Sequence, residues 1–301
     1  MIEKLNGNHE TVVYKEHANI RLYDNTDFEE YPTHWHTAIE IIMPVENHYV
    51  IENDDEIYNI QEGEILIICP NVLHTLYAVK GRRYILQAEI GSVIQIKELD
   101  SVLSLLSPII YLTQKNAPAI YSRIHSLLLQ IVDDYSQSQP LCEAAIYAKL
   151  LDMLVTIGKN HTDNLDRFGV SHLKQKEYIG TFMQICNYIN AHCTEDLSLE
   201  EVASLSGFSK YHFSRLFKQF ANVTFYKYLN QKRIAIAEQL LIDPTISVTN
   251  VSMQCGFDSL SAFIRMFKII KGCTPSEFRT MYTSNSSYGL RGNVSFQSED
   301  A

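Results

Sequence analysis

The stretch Ser206-Gly-Phe-Ser-Lys-Tyr-His-Phe-Ser-Arg-Leu-Phe-Lys218 recurs in altered form as Cys255-Gly-Phe-Asp-Ser-Leu-Ser-Ala-Phe-Ile-Arg-Met-Phe-Lys268. The Gly-Phe pairs lie 49 residues apart and the Arg-x-Phe-Lys ends lie 50 apart, so the second copy contains one additional residue. An internal repeat of this kind indicates two copies of one supersecondary unit. We therefore interpret the C-terminal third of the chain as two related helical units.

Each copy has the pattern of a helix-turn-helix unit. Ser198 precedes the first helix and Glu201 completes a capping box, while Ser247 takes the capping place in the second copy. Gly207 and Gly256 stand where the chain must turn sharply, because glycine adopts a positive φ at little cost. The residues predicted to be buried in the two second helices are Phe213, Leu216, Phe217 and Phe220, and Phe263, Met266, Phe267 and Ile270. A connecting helix is predicted from Phe225 to Leu241, ended by Asp243-Pro244.

The face opposite the predicted core of each second helix offers side chains suited to DNA. These residues are Tyr211, Ser214, Arg215 and Lys218 in the first copy, and Leu260, Ser261, Ile264, Arg265 and Lys268 in the second. An arginine can bind guanine through two hydrogen bonds, and lysines suit phosphates. The pattern predicts two recognition helices in the major groove, held about one DNA turn, ~34 Å, apart by the connecting helix.

The stretch of about a hundred residues that contains both copies of the repeat resembles the AraC/XylS family of transcription regulators. Besides the repeat, the matching stretches are Leu199-Glu-Glu-Val-Ala203, Tyr228-Leu-Asn-Gln-Lys-Arg-Ile234, Ala237 with Leu240-Leu241, and Thr274-Pro-Ser-Glu-Phe-Arg279. The resemblance implies a transcription regulator, and an activator rather than a repressor, which binds double-stranded promoter DNA and can contact RNA polymerase. It places base contacts on Tyr211, Ser214 and Arg215, and on Leu260, Ser261, Ile264 and Arg265. Leu260 and Ile264 stand where polar residues are more usual, so we expect the first unit to carry most base discrimination.

The formal net charge of −10 is unevenly distributed along the chain. Residues 177–282 hold ten Lys/Arg and nine Asp/Glu, whereas residues 1–176 hold fourteen and twenty-four. A local basic face can bind phosphates on a protein of negative total charge. The acidity therefore does not exclude DNA binding.

The N-terminal part has the short, β-branched runs of an all-β domain. The predicted strands are Ile39–Pro44, His48–Ile51, Glu56–Ile60, Glu64–Ile68 and Arg83–Glu89, with turns at Asn53-Asp54-Asp55 and Glu62-Gly63. They predict an antiparallel sandwich or small barrel. Arg82-Arg83 is interpreted as a solvated pair of charges at a strand end.

Two helices are predicted after this domain. The first has an apolar stripe at residues 120, 124, 127, 128 and 131. The second follows Pro140, and its wide stripe is predicted to face both the barrel and a second subunit; the stripe consists of Ala144, Ala145, Ala148, Leu151, Leu154 and Val155.

A histidine motif lies in the predicted strand region. His34-Trp-His36 is followed by Glu40, and Gly63 to Pro70 is followed by His74. Residues 34, 36 and 40 have the same strand parity, so their side chains point to one face. The arrangement resembles the two cupin motifs, although no glycine follows the first one between Pro44 and Ile51. Three interpretations stay open: a divalent transition-metal site, a pocket for a small-molecule effector, or a structural cluster that binds nothing.

The expected fold class is α+β, with a cupin-like antiparallel β-barrel, a helical dimerisation segment and a C-terminal all-α domain of two helix-turn-helix units. The expected segments are an arm (1–18), a cupin-like sensor domain (19–95), a dimerisation segment (96–160), a linker (161–176), the DNA-binding domain (177–282) and a flexible tail (283–301). The six cysteines are scattered without a Cys-x-x-Cys pair, which argues against a zinc ribbon and for a reducing compartment. No run is long and apolar enough to span a membrane, and no export signal is evident.

The leading hypothesis from the sequence is a cytoplasmic, homodimeric regulator that responds to a small-molecule effector and has no enzymatic activity and no obligatory cofactor. A second hypothesis is a cupin metalloenzyme with a DNA-binding appendage, which requires a metal at His34, His36, Glu40 and His74. A third is a constitutive regulator without an effector.

Overall fold

The computed structural model describes residues 5–14, 19–90, 103, 106, 108–164, 170–221 and 223–286. The chain divides into two compact units. One comprises Met1–Ile189 with Ser198–Phe225, and the other comprises Asn190–Leu197 with Tyr226–Ala301. Strands occupy the N-terminal part of the first unit, and the second unit is helical. The α+β class is therefore confirmed.

Eleven strands are found in the described residues. They are β1 (Leu5–Asn6), β2 (His9–Glu10), β3 (Ile20–Asn25), β4 (Tyr31–His34), β5 (Ile39–Pro44), β6 (Tyr49–Asn53), β7 (Glu56–Ile60), β8 (Ile65–Ile68), β9 (His74–Leu76), β10 (Arg83–Ala88) and β11 (Ile109–Leu112). A five-stranded sheet has the order β11-β8-β5-β10-β3, a four-stranded sheet has the order β4-β9-β6-β7, and β1 pairs with β2. Every one of these strand pairings is antiparallel.

The two larger sheets pack face to face. One apolar cluster lies between them and takes residues from β4, β5, β6, β7, β8, β9 and β10, including Ile42, Ile51 and Ile85. Strand β5 is buried along its whole length. Because alternate side chains of a strand point to opposite faces, Glu40 and Ile42 lie on the inner side, whereas Ile39, Ile41 and Met43 belong to a second cluster.

Two helices cover the outer face of the five-stranded sheet. Helix α1 (Tyr121–Gln137) buries Ile124, Leu128 and Ile131 as the predicted stripe requires. Helix α2 (Cys142–Asn164) faces the sheet with only part of the predicted stripe. Of the six stripe residues only Leu154 is buried; the buried side chains are Ile146, Tyr147, Leu150, Met153, Leu154 and Ile157. The small alanines extend the apolar pattern onto a face that is exposed in the single chain, and the predicted contact of this face with a second subunit stays a prediction.

Seven helices follow in the described part of the chain. They are α3 (His172–His192), α4 (Leu199–Leu205), α5 (Lys210–Ala221), α6 (Phe225–Leu241), α7 (Val248–Gln254), α8 (Leu260–Lys271) and α9 (Pro275–Ser286). The predicted bounds of the connecting helix, Phe225 to Leu241, are confirmed by α6. No helix among the described residues has both the length and the apolar character needed to cross a membrane.

The predicted strands agree with β5 to β8 and β10 to within two residues at each end. Strands β3, β4, β9 and β11 were missed, since each is short or carries polar residues among its apolar ones.

The prediction that Arg83 is a solvated charge was wrong. The side chain is buried, donates to the Val79 carbonyl oxygen at 2.8 Å and lies over the Tyr49 ring. The proposed domain boundaries stay predictions. Helix α9 runs to Ser286, and residues 287–301 of the predicted tail lie outside the described residues.

Candidate functional sites: two helix pairs and a buried histidine cluster

The first helix pair, α4 and α5, is held together by its capping and by an aromatic core. The Ser198 hydroxyl accepts from the Glu201 amide at 3.1 Å, as the capping box predicts. Gly207 has a φ of 72° at the turn. Phe208 and Phe213 from this pair pack against Phe182 of α3 at ring-centroid distances of 6.0 and 5.7 Å. This core orients α5 relative to α3.

The second helix pair, α7 and α8, repeats the arrangement in the other compact unit. The Ser247 hydroxyl accepts from the Asn250 amide at 3.1 Å. Gly256 has a φ of 77°, and a Cβ there would lie 2.4 Å from the Thr194 carbonyl oxygen. The Phe263 ring contacts Phe257 and Phe267 at 5.2 and 5.7 Å. The predicted burial is confirmed for Phe263 and Phe267, whereas Met266 and Ile270 are half-buried.

The additional residue of the second copy lies in the turn before α8. Ser209 and Ser259 each accept a hydrogen bond from the amide three residues later, at 3.4 and 3.2 Å. Counted from these serines, Arg215 and Arg265 occupy the same helical position. The two recognition helices can thus be compared position by position despite the longer turn.

The predicted outward faces are accessible. Tyr211 is 87% exposed, and Arg215 and Lys218 are also exposed, with Ser214 half-buried. On α8 the exposed residues are Leu260, Ser261, Arg265 and Lys268, and Ile264 is half-buried. Neither Arg215 nor Arg265 forms an ion pair with a residue that the structure describes. Both guanidinium groups are therefore available to an external partner.

Four other cations of this region are held by groups of the protein itself. Arg233 donates to the carbonyl oxygens of Cys193 and Glu195, and Arg279 donates to those of Leu241 and Ile246. Lys271 is buried and paired with Glu238, and Lys210 is paired with Glu200. The total count of positive residues consequently overstates the charge that faces solvent.

The second site lies between the two N-terminal sheets. His34 and His74 are cross-strand partners in the four-stranded sheet. Glu40 of β5 and Gln87 of β10 are cross-strand partners in the five-stranded sheet. His36 follows β4, and all five side chains are buried. The structure thus brings the four residues of the predicted effector or metal site together.

The three imidazoles converge through their Nε2 atoms. His36 Nε2 lies 3.5 Å and His74 Nε2 lies 3.2 Å from Glu40 Oε2. The ligand atoms of the three histidines all lie within 4.8 Å of one another. On the opposite side of each ring, Nδ1 lies 2.8 Å from Pro32 O in His34, 3.0 Å from Ala38 O in His36 and 2.9 Å from Val72 O in His74.

A second carboxylate comes from a part of the chain with no predicted role. Glu10 of β2 is buried, and its Oε2 lies 3.5 Å from His34 Nε2 and 4.0 Å from His36 Nε2. Gln87 Nε2 donates to Glu10 Oε2 at 3.3 Å and to Glu40 Oε1 at 3.0 Å. Sequence reasoning missed both Glu10 and Gln87. The inward parity of Gln87 within the predicted strand could have identified it, but nothing in the polar arm distinguishes Glu10.

Burial and proximity shift the pKa values of this cluster in opposite directions. Burial raises the pKa of Glu10 to about 7, although nearby His36 partly offsets this. Burial also lowers the pKa of His34 to about 3. Burial opposes charge on Glu40 too, but its contacts with His36 and His74 hold its pKa well below the ordinary value. Burial therefore favours the neutral forms of Glu10 and His34, whereas the contacts between Glu40 and His36 lower the pKa of Glu40 and, against the effect of burial, raise that of His36.

Comparison with known proteins finds a match for the region of the two helix pairs. A family model described as a helix-turn-helix domain matches residues 194–281. The regulatory protein PocR of Salmonella typhimurium is 35% identical over 99 residues, which cover 33% of this chain and 33% of PocR. The uncharacterized HTH-type transcriptional regulator YdeC of Bacillus subtilis is 28% identical over 258 residues, which cover 83% of this chain and 86% of YdeC.

A similarity to a solved structure spans both parts of the chain. ToxT from Vibrio cholerae aligns with a TM-score of 0.48 and 14% identity, covering 88% of this chain and 97% of ToxT. The match to PocR, by contrast, spans about a third of that protein. The chain thus contains a helix-turn-helix domain and is similar to proteins that are named as regulators.

Proposed function

We propose that the protein is a sequence-specific transcription regulator that binds promoter DNA through α5 and α8 and responds to a ligand held between its N-terminal sheets. The observation that carries the proposal is the pair of exposed arginines, Arg215 and Arg265, at equivalent positions of two helices whose other faces are buried in aromatic cores. Each arginine can bind guanine through two hydrogen bonds, which contributes about 1–3 kcal/mol of discrimination.

The remaining residues of the two faces have distinct roles in this proposal. Tyr211 and Ser214 contact base edges beside Arg215, and Ser261 does so beside Arg265. Leu260 and Ile264 offer only apolar contact, which suits a thymine methyl group. Lys218 and Lys268, each three residues after an arginine, bind phosphates and contribute affinity without base preference.

The proposed regulator acts as a homodimer through α2. The side of this helix that does not face the sheet carries Ala144, Ala148 and Val155, all exposed, with Leu151 half-buried. Small and branched apolar side chains at helical spacing suit packing against a second copy of the helix. A dimer would present four recognition helices to the promoter. Activation through RNA polymerase is the expected direction, by resemblance to the family.

The test is DNA binding by the double variant Arg215→Ala/Arg265→Ala. A site is first selected from a random-sequence duplex library with the unmodified protein, and affinities for it and for scrambled DNA are compared at fixed salt. We expect the double variant to lose most of its preference for the selected site. Lys115→Ala removes an exposed positive charge from the N-terminal part and should leave the preference unchanged. An unaltered preference in the double variant would refute base contact by these arginines.

A further inference from the structure

We propose that Lys271 of α8 and Glu238 of α6 are positioning residues for DNA recognition. Their buried ion pair fixes the orientation of α8 and thereby determines which bases Arg265 can reach, although neither residue of the pair touches DNA. The inference rests on the proposed function, since it concerns how the second helix pair reads its bases.

Lys271 is an unusual lysine. Among the residues that the structure describes, it is the only lysine that is buried, with its side chain 2% exposed. A lysine that leaves water loses the hydration of its ammonium group, so lysines are almost never buried without a partner. The partner here is the carboxylate of Glu238, which contacts the ammonium group directly and is itself 12% exposed. The two charges therefore meet away from solvent, between α6 and α8.

The first helix pair has no such lysine at the equivalent position. Counted from Phe217 and Phe267, which end the two copies of the repeat together with a lysine, Lys271 corresponds to Ala221. Ala221 is buried as well, so the shared scaffold accepts a small apolar side chain there. Buried ion pairs also add little net stability, because the cost of removing two charges from water offsets their attraction. Orientation explains the pair better than stability does.

An ion pair restricts the geometry of two helices more than an apolar contact does. Lys271 lies in the last turn of α8, directly before the C-cap Gly272. Its contact with Glu238 is satisfied in one relative arrangement of α6 and α8, in the way that a buried polar residue fixes the register of packed helices. On the same helix, Phe267 packs against Phe278 of α9 at a ring-centroid distance of 5.3 Å. Contacts to two different helices thus resist rotation of α8 about its axis.

A small rotation of α8 matters for Arg265. This arginine is exposed and lies six residues before Lys271. An atom at the edge of a helix lies about 5–6 Å from the axis, so a rotation of about 10° moves it by about 1 Å. Binding groups have to be held to within about 0.5 Å of their productive position. The neighbours Leu260 and Ile264 offer no hydrogen bond that would replace a displaced arginine, so base preference in α8 depends on its orientation.

The test separates orientation from stability. Lys271→Met/Glu238→Leu replaces the pair by apolar side chains of similar size and should unfold at the same urea concentration as the unmodified protein, or at a higher one. Glu238→Leu alone leaves a buried ammonium group unpaired and should unfold at a lower concentration. Binding is then measured at fixed salt across every single-base change of the selected site.

We expect the double variant to lose preference at the positions that Arg265→Ala flattens, by a similar factor of about two- to tenfold. It should keep its preference at the positions that Arg215→Ala flattens. A stable double variant with the base preferences of the unmodified protein would overturn the proposal.

A triple variant shows whether the pair acts through the arginine. When Arg265→Ala is added to Lys271→Met/Glu238→Leu, we expect no further loss of preference, because both changes remove one and the same interaction. Additive losses would contradict a positioning role. The control Arg82→Met/Asp24→Leu makes the same kind of exchange in the N-terminal sheets, where Arg82 Nε donates to Asp24 Oδ1 at 2.7 Å. It should retain every base preference, and the same losses in this control would also contradict the assignment.

A second variant covers the case in which the double variant fails to fold. Glu238→Asp keeps both charges but shortens the carboxylate side chain by one methylene, so the pair can form only if α8 shifts towards α6. We expect reduced preference at the positions read by Arg265, with the helix content measured by circular dichroism unchanged. Unaltered preference in Glu238→Asp would overturn the proposal.

The outcomes also separate this inference from the proposed function. An unmodified protein that prefers no DNA site would overturn both. A preferred site that the variants of Lys271 and Glu238 read as the unmodified protein does would overturn the positioning role alone.

Discussion

The two helix pairs share one scaffold but present different chemistry to solvent. Both have a capping serine, a glycine of positive φ at the turn and a phenylalanine core. Counted from Ser209 and Ser259, Ser214 in α5 corresponds to Ile264 in α8, and Tyr211 corresponds to Ser261. The scaffold therefore fixes where a side chain is presented, while a few substitutions decide whether that side chain can distinguish bases. We infer that α5 contributes most discrimination and α8 mainly position and affinity.

The largest expected difference between the pairs concerns their turn glycines. Gly256→Ala places a methyl group 2.4 Å from the Thr194 carbonyl oxygen, whereas nothing lies within 4 Å of the same position at Gly207. A left-handed conformation alone costs a non-glycine residue about 1–2 kcal/mol. We expect Gly207→Ala to lose about that much stability and Gly256→Ala to lose about 3 kcal/mol or more, since backbone must also move. Urea unfolding of both variants measures the difference, and equal losses would contradict it.

The phosphate-binding lysines should behave alike in the two pairs. Lys218 and Lys268 are both exposed at the same helical position. Replacing either by Ala should weaken binding to specific and scrambled DNA by a similar factor and reduce the salt slope of log K by about 1. The salt slope is obtained from affinities measured between roughly 50 and 200 mM salt, a range over which such slopes are resolved. A loss confined to the specific site would assign the lysine to base contact instead.

The smallest expected effect comes from exchanging one residue between the faces. Ile264→Ser gives α8 the residue that α5 carries at the equivalent position, and Ser214→Ile makes the reverse change. We expect the first to add, and the second to remove, up to about 1 kcal/mol of discrimination, because a single hydroxyl hydrogen bond is gained or lost. Competition between duplexes that differ at one base pair measures it. A gain of discrimination in both variants, or a loss in both, would contradict this expectation.

The helical part could be predicted from sequence in considerable detail. The bounds of α6, the capping by Ser198 and Ser247 and the turns at Gly207 and Gly256 all follow from local rules. Local rules suffice there because a helix forms its hydrogen bonds within one segment. The face of α2 that packs against the sheet was not predictable in the same way, since the alanines of this helix fit either a buried or an exposed face.

The sheet region and its site depended on contacts between distant segments. Arg83 is buried because the Val79 carbonyl and the Tyr49 ring surround it, which no single strand pattern indicates. Glu10 approaches His34 because the backbone of the hairpin pairs with Trp35, which lies far from it in the sequence. The spacing of His34, His36, Glu40 and His74 predicted the cluster, but its second carboxylate required the fold.

The central claim is that the first helix pair carries most base discrimination, and the most direct test compares Arg215→Ala with Arg265→Ala. Binding of each single variant is measured at fixed salt across every single-base change of the selected site. We predict that Arg215→Ala flattens the preference at one or two positions by about 1–3 kcal/mol, and that Arg265→Ala flattens another position by less. A larger loss of preference in Arg265→Ala would contradict the account.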